Sequence, residues 1–347
     1  SAEDRAYLQG LMADAQYAPN IGRKENWGLQ ELVRQAGVPM SAAVAEVLRE
    51  AKQGWSAART AAGVDPLILD LDGDGIETTR ETAGVYFDHD GSGFAERTGW
   101  VGGDDGLLVW DRDGDGVIGG GTELFGDQTI LQDGTRAADG FAALAEWDSN
   151  ADGKVDGSDG VWANLRVWRD YDGDGVSSPE ELLALSELDI TGINTAHATT
   201  NVVDGQGNTQ VHLGSFTRGD ATTGQVGDYV LSRDATFTLD PGYLTLPAEI
   251  AGLPEAQGFG NVYDLHQAMV RDASGGLKAL VESFVAEADP AQRALTLESL
   301  VFKWTGSDLI DPASRGPYID ARKLVVLEQV FGEGFVGAGG ATDPNRF

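Results

Sequence analysis

The chain has 347 residues, 41% of them hydrophobic, a formal net charge of −32 and no cysteine. The length accommodates two or three folding units, and the apolar content suffices for a real core, which excludes global disorder. The charge argues against nucleic acid and anionic membrane as partners, and the missing cysteines exclude disulfides, thiol catalysis and zinc–thiolate sites.

The acid is localised. Residues 1–64 carry seven acids and seven bases, net zero, whereas residues 65–189 carry 30 acids and seven bases, net −23. In chain order, residues 2–17 and 40–62 are rich in Ala, Leu and Glu and predict helices, with a turn-like "APNIGRKENWG" between them. The opening "SAEDRAYLQG" has no signal-peptide apolar core, and no apolar run of about 18 residues exists to span a membrane. The chain is therefore expected to be cytoplasmic, exported without a cleaved leader, or an excised fragment, and its abrupt ends favour the fragment.

From Pro66 to about Asp133 the sequence predicts short apolar strands broken by Gly and Asp. Residues 137–188 read as helix, acidic loop, helix, acidic loop, helix. Thr, Val and Gly dominate from Ile190 to Phe237, which predicts hairpins. A Pro- and Gly-containing connection, Asp240 to Gly260, leads to a helical region over roughly 261–332 and a Gly-rich tail.

Five segments share an acid or amide at positions 1, 3 and 5, with a hydroxyl once, and Gly at 6. Alternate side chains of such a tight loop point at one hard cation, and glycine permits the turn that brings a carbonyl round at position 7. The expected ligands are Asp70, Asp72 and Asp74 in the first loop and Asp88, Asp90 and Ser92 in the second. The third offers Asp111, Asp113, Asp115 and, one place late for a closing acid, Glu123. The fourth offers Asp148, Asn150, Asp152, the Lys154 carbonyl, Asp156 and Asp159; the fifth offers Asp170, Asp172, Asp174, the Val176 carbonyl and Glu181. An all-oxygen ligand set points to Ca2+, with about five sites. Helical patterns around the last two loops suggest a paired EF-hand. The expected fold class is α+β: a helical N-terminal segment (1–64), a calcium-loop strand and EF-hand-like central module with β-hairpins (65–237), and a linker with a helical C-terminal region (238–347).

"GVDPLILDLDGDG" places the Asp65–Pro66 bond directly before the apolar run that opens into the first loop. An Asp carboxylate can reach its own carbonyl carbon in a five-membered closure, and the tertiary prolyl nitrogen leaves well once protonated. Asp also precedes Pro at positions 240, 289, 311 and 343, where it is ordinary turn or helix-start material; Asp289 and Asp311 read as helix caps. Only its position at a composition boundary distinguishes Asp65.

The run "DPLILDLDGDGIET", followed in order by "DHDGSGFAERTGWVGGDDGLLVWDRDGDGVIGGGTELFGD", "GFAALAEWDSNADGKVD", "LRVWRDYDGDGVSSPEELLAL" and "GSFTRGDATTGQVGDYVL", resembles the FrpC-like self-processing module of RTX (repeats-in-toxin) proteins over roughly residues 65–237. The resemblance implies calcium-triggered cleavage at Asp65–Pro66. Asp65 would be the nucleophile and new C-terminus, Pro66 the new N-terminus. It also implies capture of the Asp65 carboxyl by a lysine-bearing acceptor protein through an isopeptide bond, and type I secretion to the extracellular space or cell surface. The chain departs from the family in lacking strict glycine-rich nonapeptide repeats.

The four histidines form no helical pair, and His89, inside the second loop at a non-ligand position, reads as solvated. Trp100, Trp110, Trp147, Trp162 and Trp168 read as core rather than a sugar platform. Two other functions fit the loops: a calcium-stabilised structural module of a secreted adhesin or toxin without cleavage, and an EF-hand-like module that binds a partner.

Overall fold

A computed structural model of the chain describes residues 65–240, 242–315, 320–332 and 334. The helices expected over 2–17 and 40–62 lie outside these residues. In chain order the first strands are β1 (Leu67–Leu69), β2 (Thr78–Thr79), β3 (Val85–Phe87), β4 (Ala95–Thr98), β5 (Trp100–Val101) and β6 (Gly106–Val109). They are followed by β7 (Lys154–Asp156), β8 (Arg166–Trp168), β9 (Leu182–Ala184) and β10 (Ile190–Asn194). The last four are β11 (Ala198–Val203), β12 (Thr209–Arg218), β13 (Thr223–Val230) and β14 (Arg233–Leu239).

Nine of them form one antiparallel sheet in the order β7-β10-β12-β13-β1-β6-β8-β9, with β11 on β12. β3, β4 and β14 form a three-stranded sheet, and β2 pairs with β5. The strand after Pro66 lies in the interior of the large sheet: Leu67, Ile68 and Leu69 each have 0% exposure. Leu67 and Leu69 enter one core, with Phe125, Phe141, Val167 and Phe216. Ile68 enters the core on the other face, with Trp100, Leu107 and Trp168. This is the period-two alternation of a strand covered on both sides. Burying each of these three side chains contributes roughly 1.5–3 kcal/mol, so β1 is among the most firmly seated strands of the sheet.

The expected α+β class gives way to a β-dominated module. Among the described residues 137–188 the only α-helix is α1 (Gly140–Ala145). "GVWANLRVW" does not form the helix between two EF-hand loops. It breaks into a 3-10 turn (Trp162–Asn164) and β8, which pairs with β6 on one side and β9 on the other. The reason is length and neighbours: an apolar run this short has no fixed period, and sheet pairing on both edges decides it. The paired EF-hand is thereby overturned; the acidic loops lie at strand ends.

The second unit, described from Gly242 onward, is helical, as the pattern predicts. It holds α2 (Ala248–Ala251), α3 (Leu265–Arg271), α4 (Gly276–Ala286) and α5 (Pro290–Trp304) around Leu265, Val281, Phe284 and Leu300, followed by α6 (Ala321–Phe331). Asp289 caps α5, accepting from the amides of Ala291 and Gln292. The Asp311 side chain accepts from Ala313 N in a turn, and the next helix starts at Ala321 with Asp320 as its cap. No described helix is long and apolar enough to cross a membrane.

Candidate functional site

Four of the five loops bring three acids together, one oxygen from each within 4.8 Å of the others. The groups are Asp70, Asp72 and Asp74; Asp88, Asp90 and Glu96; Asp111, Asp113 and Asp115; and Asp170, Asp172 and Glu181. The backbone winds each loop round its first acid: Asp88 accepts from the amides of Gly91, Ser92 and Gly93, and Asp170 from those of Gly173, Asp174 and Gly175. Ser92 turns its hydroxyl towards the Phe94 amide at 3.3 Å. Asp174 accepts from Val176 N at 2.8 Å.

The fourth loop differs. Asp148 and Asn150 both accept from Asp152 N, at 3.1 and 2.9 Å. Lys154 N donates to Asp152, but its amine pairs with Asp156, which lies in β7. Among the described residues no three-acid group forms there.

A shared device closes the loops. The carboxylate of Glu123 accepts from the amides of Arg112 and Gly119 at 3.1 and 2.7 Å. Asp159 does the same for Ser149 and Asp156 at 2.8 and 3.0 Å, and Glu181 for Tyr171 and Ser178 at 3.2 and 3.0 Å. In each, a closing acid bridges loop positions 2 and 9. The first loop has a related acid from outside it, bridging positions 2 and 8: Asp105 accepts from Leu71 N at 3.1 Å and Glu77 N at 2.8 Å. In the second loop Glu96, at position 9, accepts from His89 N at 3.0 Å. Counting positions would have found Glu96; Asp105, 34 residues from Leu71, belongs to another turn.

These acids suit a cation. Burial, then the charge of Asp90, pushes the Glu96 carboxyl up to about 8, and burial pushes Asp105 up to about 7. Among the described residues the loops' ion pairs are confined to Arg233 with Asp90 and Glu96, and Lys154 with Asp152 and Asp156. Elsewhere, acid faces acid with no cationic side chain in contact, which is the donor set a hard divalent ion neutralises.

The loops also reach the core. Trp100, fully buried, donates its indole N–H to Asp170 at 2.7 Å. His89 corrects its sequence reading: it has 0% exposure, lies edge-on to Phe87, and its Nε2 is 3.0 Å from Thr98 Oγ1. Burial holds it neutral, its pKa lowered to about 3. Trp168 is fully buried like Trp100, and Trp110, Trp147 and Trp162 pack against the core, as expected of them.

Asp65 is itself buried, at 7% exposure. Its Oδ1 accepts from Asp127 N at 2.5 Å. The turn carrying Asp127 lies against the peptide: a Cβ on Gly126 would stand 2.7 Å from the Asp65 carbonyl oxygen and 3.1 Å from its carbon. Only glycine permits that approach. On the other side of the bond, Tyr229 N donates to Pro66 O at 3.2 Å and Leu67 N to Phe125 O at 3.0 Å. Proline as the residue before the strand gives up no ladder bond, because its nitrogen has no hydrogen.

Burial, then the charges of Asp228 and Asp127, pushes the Asp65 carboxyl up to about 9. Asp228, opposite Leu67 in β13, is fully buried, and burial followed by Asp139 raises it to about 8. One of its oxygens takes Gly140 N at 3.3 Å and His212 Nδ1 at 3.0 Å; the other, Oδ1, has no partner. Sequence reading missed Asp127, Asp228 and His212. The available signal was a lone Asp in the alternating strand "QVGDYVL".

Residues 67–232 match the SPM domain family. The chain is 44% identical over 247 residues to the iron-regulated protein FrpA of Neisseria meningitidis serogroup C, an alignment that takes in 70% of this chain and 22% of that protein. The chain thus spans about a fifth of the length of this curated relative. The two similarities together relate the chain to the FrpA/FrpC-type proteins.

Proposed function

We propose that the chain carries a calcium-triggered self-processing module, residues 65–237, that cleaves its own Asp65–Pro66 bond. The observation that carries the reading is the seat of Asp65: a buried carboxyl, fixed by the Asp127 amide, beside its own carbonyl and at the head of an interior strand.

The neutral acid that burial favours at Asp65 holds both the attacking oxygen and the proton the reaction needs. A carboxyl oxygen attacks the Asp65 carbonyl carbon, forming a C–O bond and a five-membered ring. The C–N bond to Pro66 breaks, and the carboxyl proton ends on the prolyl nitrogen. The products are a cyclic anhydride at Asp65 and a free Pro66 amine. Water then opens the ring to an ordinary C-terminal Asp, or a lysine ε-amine opens it to an isopeptide. Fixing carbonyl and carboxyl side by side is the catalytic contribution of Gly126, Asp127 and β1.

Calcium bound at the loops neutralises their acids and orders the strand ends that carry them. Asp70, Asp105, Glu96, Glu123, Asp159, Asp170 and Glu181 are the buried acids that would hold it, together with Asp72, Asp74, Asp88, Asp90, Asp111, Asp113, Asp115, Asp148, Asn150, Asp152, Asp172 and Asp174. About five such sites, with extracellular-type dissociation constants of order 10⁻⁴–10⁻³ M, would leave the module dormant inside a cell and active after type I secretion. A lysine-bearing acceptor protein at the cell surface would be its partner.

Incubating the purified chain with millimolar calcium and weighing it by denaturing mass spectrometry tests the reading. Fragments of 65 and 282 residues (347 − 65) are expected, absent with chelator and in Asp65→Ala. An intact mass with a raised melting temperature would favour the purely structural module instead.

A further inference from the structure

We propose that Asp139, His197 and His212 form a site for a borderline divalent transition ion of the zinc class, chemically distinct from the acidic loops. Asp139 is the N-cap of α1, His197 immediately precedes β11, and His212 lies in β12. One ligand atom from each lies within 4.8 Å of the others. The two imidazoles are 4.6 Å apart at 65°, and His197 stacks on Phe141 of α1 at 4.5 Å.

The hydrogen bonds decide which nitrogens are available. His212 Nδ1 faces Asp228 Oδ2 at 3.0 Å, and His197 Nδ1 faces the Thr195 carbonyl at 3.1 Å. A carbonyl only accepts, so the proton of His197 lies on Nδ1. Asp228, ionised when a cation sits across the ring, likewise draws the proton of His212 to Nδ1. Both rings therefore keep an Nε2 lone pair, and no hydrogen bond among the described residues uses either one. Backbone carbonyl and buried carboxylate behind the two rings make the arrangement typical of histidines that bind metal. Asp139 spends Oδ1 on Ala142 N at 2.7 Å and offers its second oxygen.

A second observation points the same way. Asp228, behind His212, is fully buried, and its Oδ1 has no partner; a cation on the far side of the imidazole gives that buried group a charge to face. Imidazole nitrogens favour zinc, copper or nickel over calcium, and three protein ligands leave one position open to water or a small ligand. Exposed His197 supplies the entry path. The ion would tie the start of α1 to the hairpin of β11 and β12.

Titrating the full chain with zinc alone, in saturating calcium, tests this by calorimetry; cobalt(II) absorption reports the coordination. One equivalent of zinc is expected to bind, with His197→Ala and His212→Ala each weakening it by at least about tenfold and abolishing the cobalt band. Asp228→Asn is expected to weaken it about 10- to 100-fold. Because His197 is exposed, its replacement leaves the fold intact, which unchanged circular dichroism checks. No zinc binding in calcium, or binding by His197→Ala as tight as by the unaltered chain, overturns the proposal.

Discussion

Replacing Gly126 by alanine presses on the scissile peptide while leaving every reacting group chemically intact. The added Cβ would stand 2.7 Å from the Asp65 carbonyl oxygen, 3.1 Å from its carbon and 3.2 Å from Oδ1. Ordinary contact begins at about 3.4 Å, so the carbonyl must retreat by about 0.7 Å (3.4 − 2.7) or the 126–127 turn must move. Either shift loosens the Asp127 amide on Oδ1. Misplacing reacting groups by about 1 Å costs on the order of 100-fold in rate, so cleavage should slow roughly 10- to 100-fold. The assay is a calcium jump followed by timed quenching and quantification of the two fragments. Calcium binding and the melting temperature in calcium, measured on the same samples, should change little because the loops are elsewhere. A variant that cleaves within about threefold of the unaltered rate would refute the argument that this close approach positions the carbonyl.

Asp105→Asn leaves one oxygen where two amides, Leu71 N and Glu77 N, now find acceptors; the calcium midpoint of cleavage should rise about tenfold in a calcium titration. Trp100→Phe removes the buried donor to Asp170 and should cost about 1–3 kcal/mol, read from denaturant melts in calcium. The ion-free chain should be less stable at pH 8 than at pH 5. Asp65 and Asp228 have folded values of about 9 and 8 against an ordinary 3.8, so the fold binds protons that the unfolded chain has released. Each group then subtracts up to about 1.4 kcal/mol per pH unit between 3.8 and its folded value. Thermal melts in chelator across that range check the sign; a melting temperature that climbs from pH 5 to 8 would contradict it.

The acidic loops were legible because their information is local: side chains two apart, with glycine at the turn, converge whatever the rest of the fold does. Asp105 was not, because it reaches Leu71 and Glu77 from the turn between β5 and β6, and spacing within a loop carries no trace of that. The helix expected through "GVWANLRVW" failed because a run this short fits either period, and pairing with β6 and β9 chose the strand. Asp228 and His212 show a further limit. Only the register that sets Asp228 against both Leu67 and His212 brings Asp228 close enough to Asp65 to act on its charge. His89 looked solvated because it lies in an acidic loop; the three-stranded sheet beneath that loop encloses it.

Cleavage by attack of Asp65 on its own carbonyl is tested most directly by trapping the ring product. Calcium added in concentrated hydroxylamine should give an N-terminal fragment ending at Asp65 as its hydroxamate, identified by mass and by fragmentation. A fragment ending at Asp65 that carries only free acid under those conditions, or a chain left whole, would contradict it.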